Sequence, residues 1–347
     1  MSQRILIRTP NHLGDCIMAL PMVNETREAY PGCSVTVMVP ENLVDLFHPN
    51  PAIDEIIKIP AQHVHGLIAV MKIKDLIAEH EFDVGLILPP SFGAAAGFKL
   101  GGVKNRIGYI ADGRRLLLTK PLPLPEPLND AHRSELYFNL LRRGAGIDLE
   151  YTHPKLFLND ADTERAIVLL RGFGIKESDE YAAVSFRAVA ESRRWGSENY
   201  TELIKRIVSK WGLQVVLLGS EDDRKIGDSI ASAAGTREVK NLAGKTNIRE
   251  VAAVLSRAKF FAGNDSGPAH LAAAVGAPIV VLSGADDPRA TSPMSATKRL
   301  LYLDDLDCIS CVKNKCPLKG GQFMQCMTGI TVDMVMGEIE QLVGDSD

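Results

Sequence analysis

The chain has 347 residues, enough at roughly 150 per domain for two domains. Its 39 Lys and Arg against 43 Asp and Glu leave a net charge of −4, which excludes a generally basic nucleic-acid binder but not a local basic patch. At 46% hydrophobic and 24% charged it has the composition of a soluble globular protein; a disordered chain is excluded, and no apolar stretch approaches the roughly 18 residues of a spanning helix. The opening residues, MSQRILIR, hold a three-residue apolar run between arginines, too short for a secretory signal, so a cytoplasmic protein is expected.

In chain order, residues 4–9 (RILIRT) read as a buried strand, followed by a loop and an amphipathic helix to about Ala29. Residues 34–39, 54–59 and 84–88 are further strands, with a helix over about 67–80 between the last two. The proline-rich stretch 116–127 cannot continue a sheet interior and reads as a connecting arm before a helix at about 131–143. Residues 160–179 hold one helix and then the interdomain hinge. The rhythm restarts with a strand at 181–186, a helix at 197–210 with Ser197 as its cap, and a continuously apolar strand at 213–219. A strand at 259–262, a helix near 267–275 and a strand at 278–283 close a further β-α-β unit. Strands alternating with helices imply parallel sheets covered on both faces. The expectation is two doubly wound domains, 1–172 and 173–347, facing a central cleft.

Four of the six cysteines, Cys308, Cys311, Cys316 and Cys326, crowd one segment. Without an export signal a disulfide framework is not expected. The spacing leaves a zinc or iron–sulfur site open, but only one C-x2-C pair occurs, and reduced structural thiols are the simpler reading.

Doubly wound sheets bind ligands in the loops at the carboxyl ends of their strands. One such loop is Gly263-Asn264-Asp265-Ser266-Gly267-Pro268-Ala269-His270, between a strand and an Ala-rich helix. Asp265 or Ser266 can cap that helix, Gly267 allows close backbone approach, and free amides at the helix start suit a phosphate, with His270 one turn in. An ordinary capped helix is the alternative. The loop carries neither a dinucleotide fingerprint nor a P-loop. A second loop, Thr9-Pro10-Asn11-His12-Leu13-Gly14-Asp15, places a carboxylate at a strand-to-helix junction, as a general base or merely as a helix-start acid. In a third, residues 187–195, arginines could clamp a diphosphate, while Trp195 reads as packing. Residues 99–120 carry Lys99, Lys104, Arg106, Arg114, Arg115 and Lys120 against Asp112 alone, a basic patch for an anionic partner or a solvated face.

Together these segments resemble the lipopolysaccharide heptosyltransferases. Arg8-Thr9-Pro10-Asn11-His12-Leu13-Gly14-Asp15 is similar to the family's R-x-P-N-W-x-G-D, with His12 in place of Trp. Leu88-Pro89-Pro90-Ser91-Phe92 and residues 106–118 resemble its L-P-N-S-F and R-x-G-Y…D-G-R…L-L segments. Residues 241–246 and 263–270 follow N-L-x-G-x-T and G-N-D-S-G-P-x-H, and Asp287-Pro288-Arg289 with the cysteine-rich tail matches the C-terminal end. Phe186-Arg187 replaces the usual Pro-Gly, and Lys225 replaces the glutamate of G-x-x-x-D-x-E beside Asp223.

The resemblance implies a GT-B fold of two Rossmann-like domains, the first binding mainly acceptor and the second mainly sugar nucleotide. It implies an inverting transfer of heptose from ADP-heptose to the inner core of lipopolysaccharide, without cofactor or metal. Asp15 falls on the catalytic base, and Asp265, Ser266, Gly267 and His270 on the donor loop. Arg193 falls where the family has the lysine of K-R-W, near the donor diphosphate. Asn11 and Gly14, with Arg114 and Arg115 of the basic stretch, are the candidate acceptor-binding residues. The expected setting is the cytoplasmic face of the inner membrane, touched peripherally. Another sugar nucleotide or acceptor, or an inactive nucleotide-sugar-binding paralogue, are the alternatives.

Overall fold

Two six-stranded, all-parallel sheets carry the chain. The computed structural model describes residues 2–64, 66–125 and 131–344. The first sheet runs β3-β2-β1-β4-β5-β6, with β1 Arg4–Arg8, β2 Ser34–Pro40, β3 Glu55–Ile59, β4 Val84–Ile87, β5 Asn105–Tyr109 and β6 Lys120–Leu122. The second runs β12-β11-β10-β7-β8-β9, with β7 Tyr181–Ser185, β8 Gln214–Leu218, β9 Val239–Asn241, β10 Phe260–Asn264, β11 Ile279–Leu282 and β12 Lys298–Leu301. Numbered from its own first strand, each sheet has the order 3-2-1-4-5-6, whose chain reversal leaves a crevice between strands 1 and 4. That reversal lies between β1 and β4 in the first sheet, and between β7 and β10 in the second.

In the first unit the helices are α1 Leu13–Met18, α2 Leu20–Asn24, α3 Thr26–Ala29, α4 Gly66–Ala78, α5 Phe92–Leu100 and α6 Arg133–Ala145. The single helix expected up to Ala29 is three short ones; the first break, between α1 and α2, follows from Pro21, which has no N–H to continue the ladder begun in α1. These pack with α6, while α4 and α5 lie side by side over a core that includes Leu6, Ile59, Phe82 and Phe98. Gly85 in β4 is fixed by that packing: a Cβ there would lie 2.6 Å from the Phe98 ring and 2.9 Å from Val103. The stretch 116–127 is not simply an arm. Lys120-Pro121-Leu122 forms the edge strand β6, a place where a proline costs the sheet little. Its last residues lie outside the described ones.

The second unit adds α7 Asp160–Gly172, α8 Ser197–Trp211, α9 Arg224–Ala234, α10 Ile248–Ser256, α11 Gly267–Ala274, α12 Pro288–Thr291, α13 Gln325–Thr328 and α14 Val332–Gly344. Gly196, at φ 101°, precedes α8 in the cap position, so Ser197 is its first residue instead of its cap. Trp195, Tyr200, Leu203, Phe260 and Ile339 form the core beneath α8, α9 and α14.

The units divide at Phe157/Leu158, not at the expected 172/173. Helix α7 packs on α10 and is pinned there by a buried ion pair, Asp162 to Arg249, through Nη2–Oδ2 and an Nε contact of 3.3 Å. Asp162 also accepts from Arg165 at 2.5 Å and closes a capping box with Asn159. Burial alone would raise its pKa, but hydrogen bonds from Arg249, the Asn159 backbone and Arg165 hold it below the usual carboxylate range. Asp162→Ala removes the carboxylate from the buried Arg249 guanidinium, and is expected to cost about 3–5 kcal/mol in urea unfolding. A loss within 1 kcal/mol, as for an exposed pair, would show that water reaches Arg249.

Candidate active site

At the reversal point of the second sheet, the loops after β7, β10 and β11 converge on one carboxylate. Asp265 follows β10, its backbone N–H bonded to the Leu282 carbonyl at 2.8 Å. Its side chain is buried and accepts from Ser283 Oγ at 3.1 Å. His270, one turn into α11, lies with Nε2 3.8 Å from Asp265 Oδ1, an ion pair only when the imidazole is protonated. Ser266 occupies the cap position of α11 without a side-chain cap bond; its hydroxyl donates to the Asn264 carbonyl at 3.1 Å. Gly267 and Pro268 open the helix, so neither of the expected caps, Asp265 or Ser266, closes that helix start.

Arg193, in the short turn Glu191–Arg193 after β7, reaches Asp286 after β11, Nη2 to Oδ1 at 2.6 Å. This places a cation beside two acids at the carboxyl edge of the sheet. Burial raises the Asp265 pKa, the neighbouring Asp286 charge adds to this, and the Ser283 hydrogen bond with Arg193 and Lys298 opposes it; the outcome is about 7. Lys298 is itself pushed down by burial and donates to Ser292 Oγ at 2.8 Å. The other residues of the 187–195 loop are structural. Arg194 donates to the carbonyls of Ala188 and Val189, and Trp195 is buried edge-on to Tyr200 with Nε1 bonded to the Ile330 carbonyl.

In the first unit, the loop after β1 carries Asp15 in the first turn of α1. It caps nothing: its carboxylate pairs with Arg133 Nη1 at 2.9 Å, from the first turn of α6. Asn11 accepts from Arg8 Nη2 at 2.6 Å, and Gly14 lies beside Asp15 within α1. Arg8 is buried and also donates to the Thr9 carbonyl; burial lowers its pKa to about 10.

The basic stretch 99–120 is not a uniform surface patch. Arg114 is fully buried, donating through Nε to the Tyr109 carbonyl at 2.8 Å and through its terminal nitrogens to Pro89 and Ile87. Its guanidinium is spent on strand-end carbonyls and so is removed from the candidate acceptor-binding residues. Arg106 donates to the Leu117 and Val103 carbonyls, and Lys104 pairs with Asp83 at 2.9 Å. Arg115 remains exposed.

The sequence pattern described as glycosyltransferase family 9 (heptosyltransferase) matches residues 70–321. This chain belongs to glycosyltransferase family 9. It is 28% identical over 314 residues to lipopolysaccharide heptosyltransferase 2 of Escherichia coli, covering 86% of this chain and 88% of that protein. It is 25% identical over 350 residues to lipooligosaccharide heptosyltransferase 2 of Haemophilus influenzae, covering 98% and 99%. The structure of E. coli ADP-heptose lipopolysaccharide heptosyltransferase II superposes with a TM-score of 0.82 at 25% identity, covering 99% of both chains. The chain is therefore a glycosyltransferase with two Rossmann-like domains of GT-B type.

Several segments shared with family 9 are architectural in this chain. Asn241 of the 241–246 segment donates to the Arg224 carbonyl and Asp228 while accepting from the Ala243 N–H, tying β9 to α9. Gly244, at φ 73°, could not carry a Cβ, which would lie 2.7 Å from the Glu221 backbone. Asp223 holds the Ser220 N–H and hydroxyl and accepts from Arg187 Nε at 3.3 Å, so the departure at Arg187 ties two loops together. Lys225 is exposed in the first turn of α9. Cys308, Cys311, Cys316 and Cys326 are unpaired. Among the described residues no three His, Cys, Asp or Glu side chains are grouped to hold a metal ion.

Four residues of these clusters had escaped the sequence reading: Arg133, Ser283, Asp286 and Lys298. Ser283 and Asp286 follow β11 and obey the same strand-end rule that found Asp265; Arg133 and Lys298 had no such signal.

Asp265 binds its proton more tightly when folded, about 7 against an ordinary 3.8. Folding stability from this site therefore falls as pH rises from about 4 to about 7, and the penalty is complete above 7. Asp265→Asn removes the titration. The Tm difference between variant and wild type should grow in the variant's favour by on the order of 5 °C from pH 5 to pH 8. Parallel Tm curves would mean that Asp265 ionises freely in the folded protein.

Proposed function

We propose that this enzyme transfers heptose from ADP-heptose to the inner core of lipopolysaccharide, with inversion, using Asp15 as general base. The observation that carries the reading is the Asp265 cluster, with Arg193 and the uncapped start of α11 at the reversal point of the second sheet. It combines hydrogen-bonding groups for a sugar with a cation and the positive end of the α11 dipole for a diphosphate. The names of the full-length relatives, lipopolysaccharide and lipooligosaccharide heptosyltransferases, support both donor and acceptor.

In the proposed reaction the Asp15 carboxylate takes the proton of the acceptor hydroxyl as its oxygen attacks the anomeric carbon. The bond from that carbon to the diphosphate breaks, and ADP leaves with the electron pair. Arg193 and the start of α11 stabilise the negative charge that develops on the leaving oxygen. Asp265 and His270 hold the donor, and Asn11, Gly14 and Arg115 border the acceptor. Arg133 orients the base from α6, a positioning role. The acceptor is lipid-anchored, so the enzyme works in peripheral contact with the cytoplasmic face of the inner membrane. No helix among the described residues is long and apolar enough to cross one.

The test is transfer from ADP-heptose to a heptosylated Kdo-lipid A acceptor, read by mass spectrometry as one added heptose. Asp15→Ala should lower the rate by about 10²–10⁴ with ADP binding retained. Arg193→Ala should weaken ADP binding. ADP binding without transfer by the wild type would point to another donor or acceptor, or to a non-catalytic nucleotide-sugar binder. Full activity of Asp15→Ala would remove Asp15 from the mechanism.

A further inference from the structure

The first unit exposes large apolar side chains along one rim. Leu67 is 80% exposed, Ile68 67% and Met71 47% on α4; Phe92 is 48% exposed at the start of α5, and Leu116 88% in the turn after β5. Helices α4 and α5 run parallel: Cβ atoms at Gly93, Gly97 and Gly101 would meet Val70, Ile73 and Ile77 in turn. Their first turns therefore lie together, both following strands and both at the carboxyl edge of the sheet. The turn that carries Leu116 is held at the same place. Asp112 accepts from the Phe92 N–H at 2.8 Å, and buried Arg114 anchors the turn from below. Residues 67, 68 and 71 share one helix face, and the half of α4 that bears them has no acid.

Burial in the unit's own core does not account for these side chains, and scattered surface residues would not collect at one end of two helices. Cations accompany them: Arg115 beside Leu116 is exposed, and Lys72 and Lys74 follow Met71. Lys74 is partly occupied by Asp75 at 3.6 Å. Leucine, isoleucine, methionine and phenylalanine with neighbouring Lys and Arg suit the boundary between acyl chains and anionic headgroups.

We infer that this rim, Leu67, Ile68, Met71, Phe92 and Leu116, is the surface by which the enzyme docks on an anionic lipid bilayer. The inference rests on the proposed lipid-anchored acceptor. Asp15 follows β1 at the same carboxyl edge, so a bilayer seated on the rim presents headgroup-linked sugars on the side of the sheet that carries the proposed base. Docking places the apolar tips among the acyl chains and Arg115 and Lys72 among phosphates, and it weakens as salt screens the charges.

The test is flotation of the full-length protein with vesicles of phosphatidylethanolamine and phosphatidylglycerol, and with phosphatidylcholine alone. The triple variant Leu67→Ser, Ile68→Ser, Leu116→Ser should partition at least about tenfold more weakly onto the anionic vesicles. Its Tm and its transfer to a soluble, deacylated acceptor should remain unchanged. Wild-type protein that floats with anionic vesicles yet transfers no heptose supports the docking surface and removes the proposed reaction. Equal flotation of variant and wild type overturns the docking surface, as does equal wild-type flotation with phosphatidylcholine. Loss of soluble-acceptor transfer in the variant also overturns it, assigning the rim to the reaction site or the fold. A wild-type dimer that the variant abolishes, without vesicle binding, assigns the rim to a second copy of the chain.

Discussion

The carboxyl edge of a parallel sheet sets the terms for everything built upon it. All strands end there, and each carbonyl that passes out of the ladder needs a donor or water. In the first sheet two buried arginines answer that need. Arg114 serves Tyr109, Pro89 and Ile87 at the ends of β4 and β5, and Arg8 serves Thr9 and Asn11 after β1. Burial lowers both pKa values to about 10, so each remains charged at neutral pH. Breaking such a group's partners is costly because the charge stays behind. The loops that carry Asn11, Asp15, Arg115 and Leu116 are thus held by buried charges.

The second sheet meets the same constraint with the opposite chemistry. Its edge gathers acids, Asp265 and Asp286, and balances them with Arg193 and Lys298. The pairs are incomplete in a telling way. Arg193 spends a terminal nitrogen on Asp286 while still 30% exposed, and Asp265 has a hydroxyl and an imidazole, but no guanidinium, at its oxygens. A buried carboxyl with a pKa near 7 exchanges its proton within the working range, which suits it to donate or accept in a hydrogen bond with a sugar hydroxyl. Arg114, by contrast, is fully committed, and its segment belongs to the scaffold however much it looks like a binding motif.

That contrast explains what the sequence could disclose. The alternation of apolar runs and helical patterns located most strands, because buried parallel strands are apolar throughout and their helices amphipathic. It failed where a local rule was overruled: β6 accepts Pro121 because it lies at an edge, and Pro21 divides one expected helix into separate ones. The candidate site was legible where its residues were contiguous, as in Gly263–His270, which the structure places at one strand end. It was illegible where contact joins distant segments: Arg133 stands 118 residues from Asp15, and no local pattern announces the pair. The same blindness made the basic stretch look like one patch, since charge counts cannot tell Arg114, folded inward, from Arg115, one residue on and exposed.

The two carboxylates are unlike, and the difference is consistent with the parts proposed for them. Asp15 is 19% exposed and its partner Arg133 46%, so this carboxylate is within reach of solvent. Asp265 is sealed at 4%, among groups packed from three loops. A general base must reach the hydroxyl it deprotonates, and of the two carboxylates Asp15 is the more exposed. The sealed one, unable to approach a bulky acceptor, is suited to gripping the smaller donor sugar. Two acids in equal surroundings could not divide the proposed tasks; the unequal exposure of Asp15 and Asp265 is what allows that division.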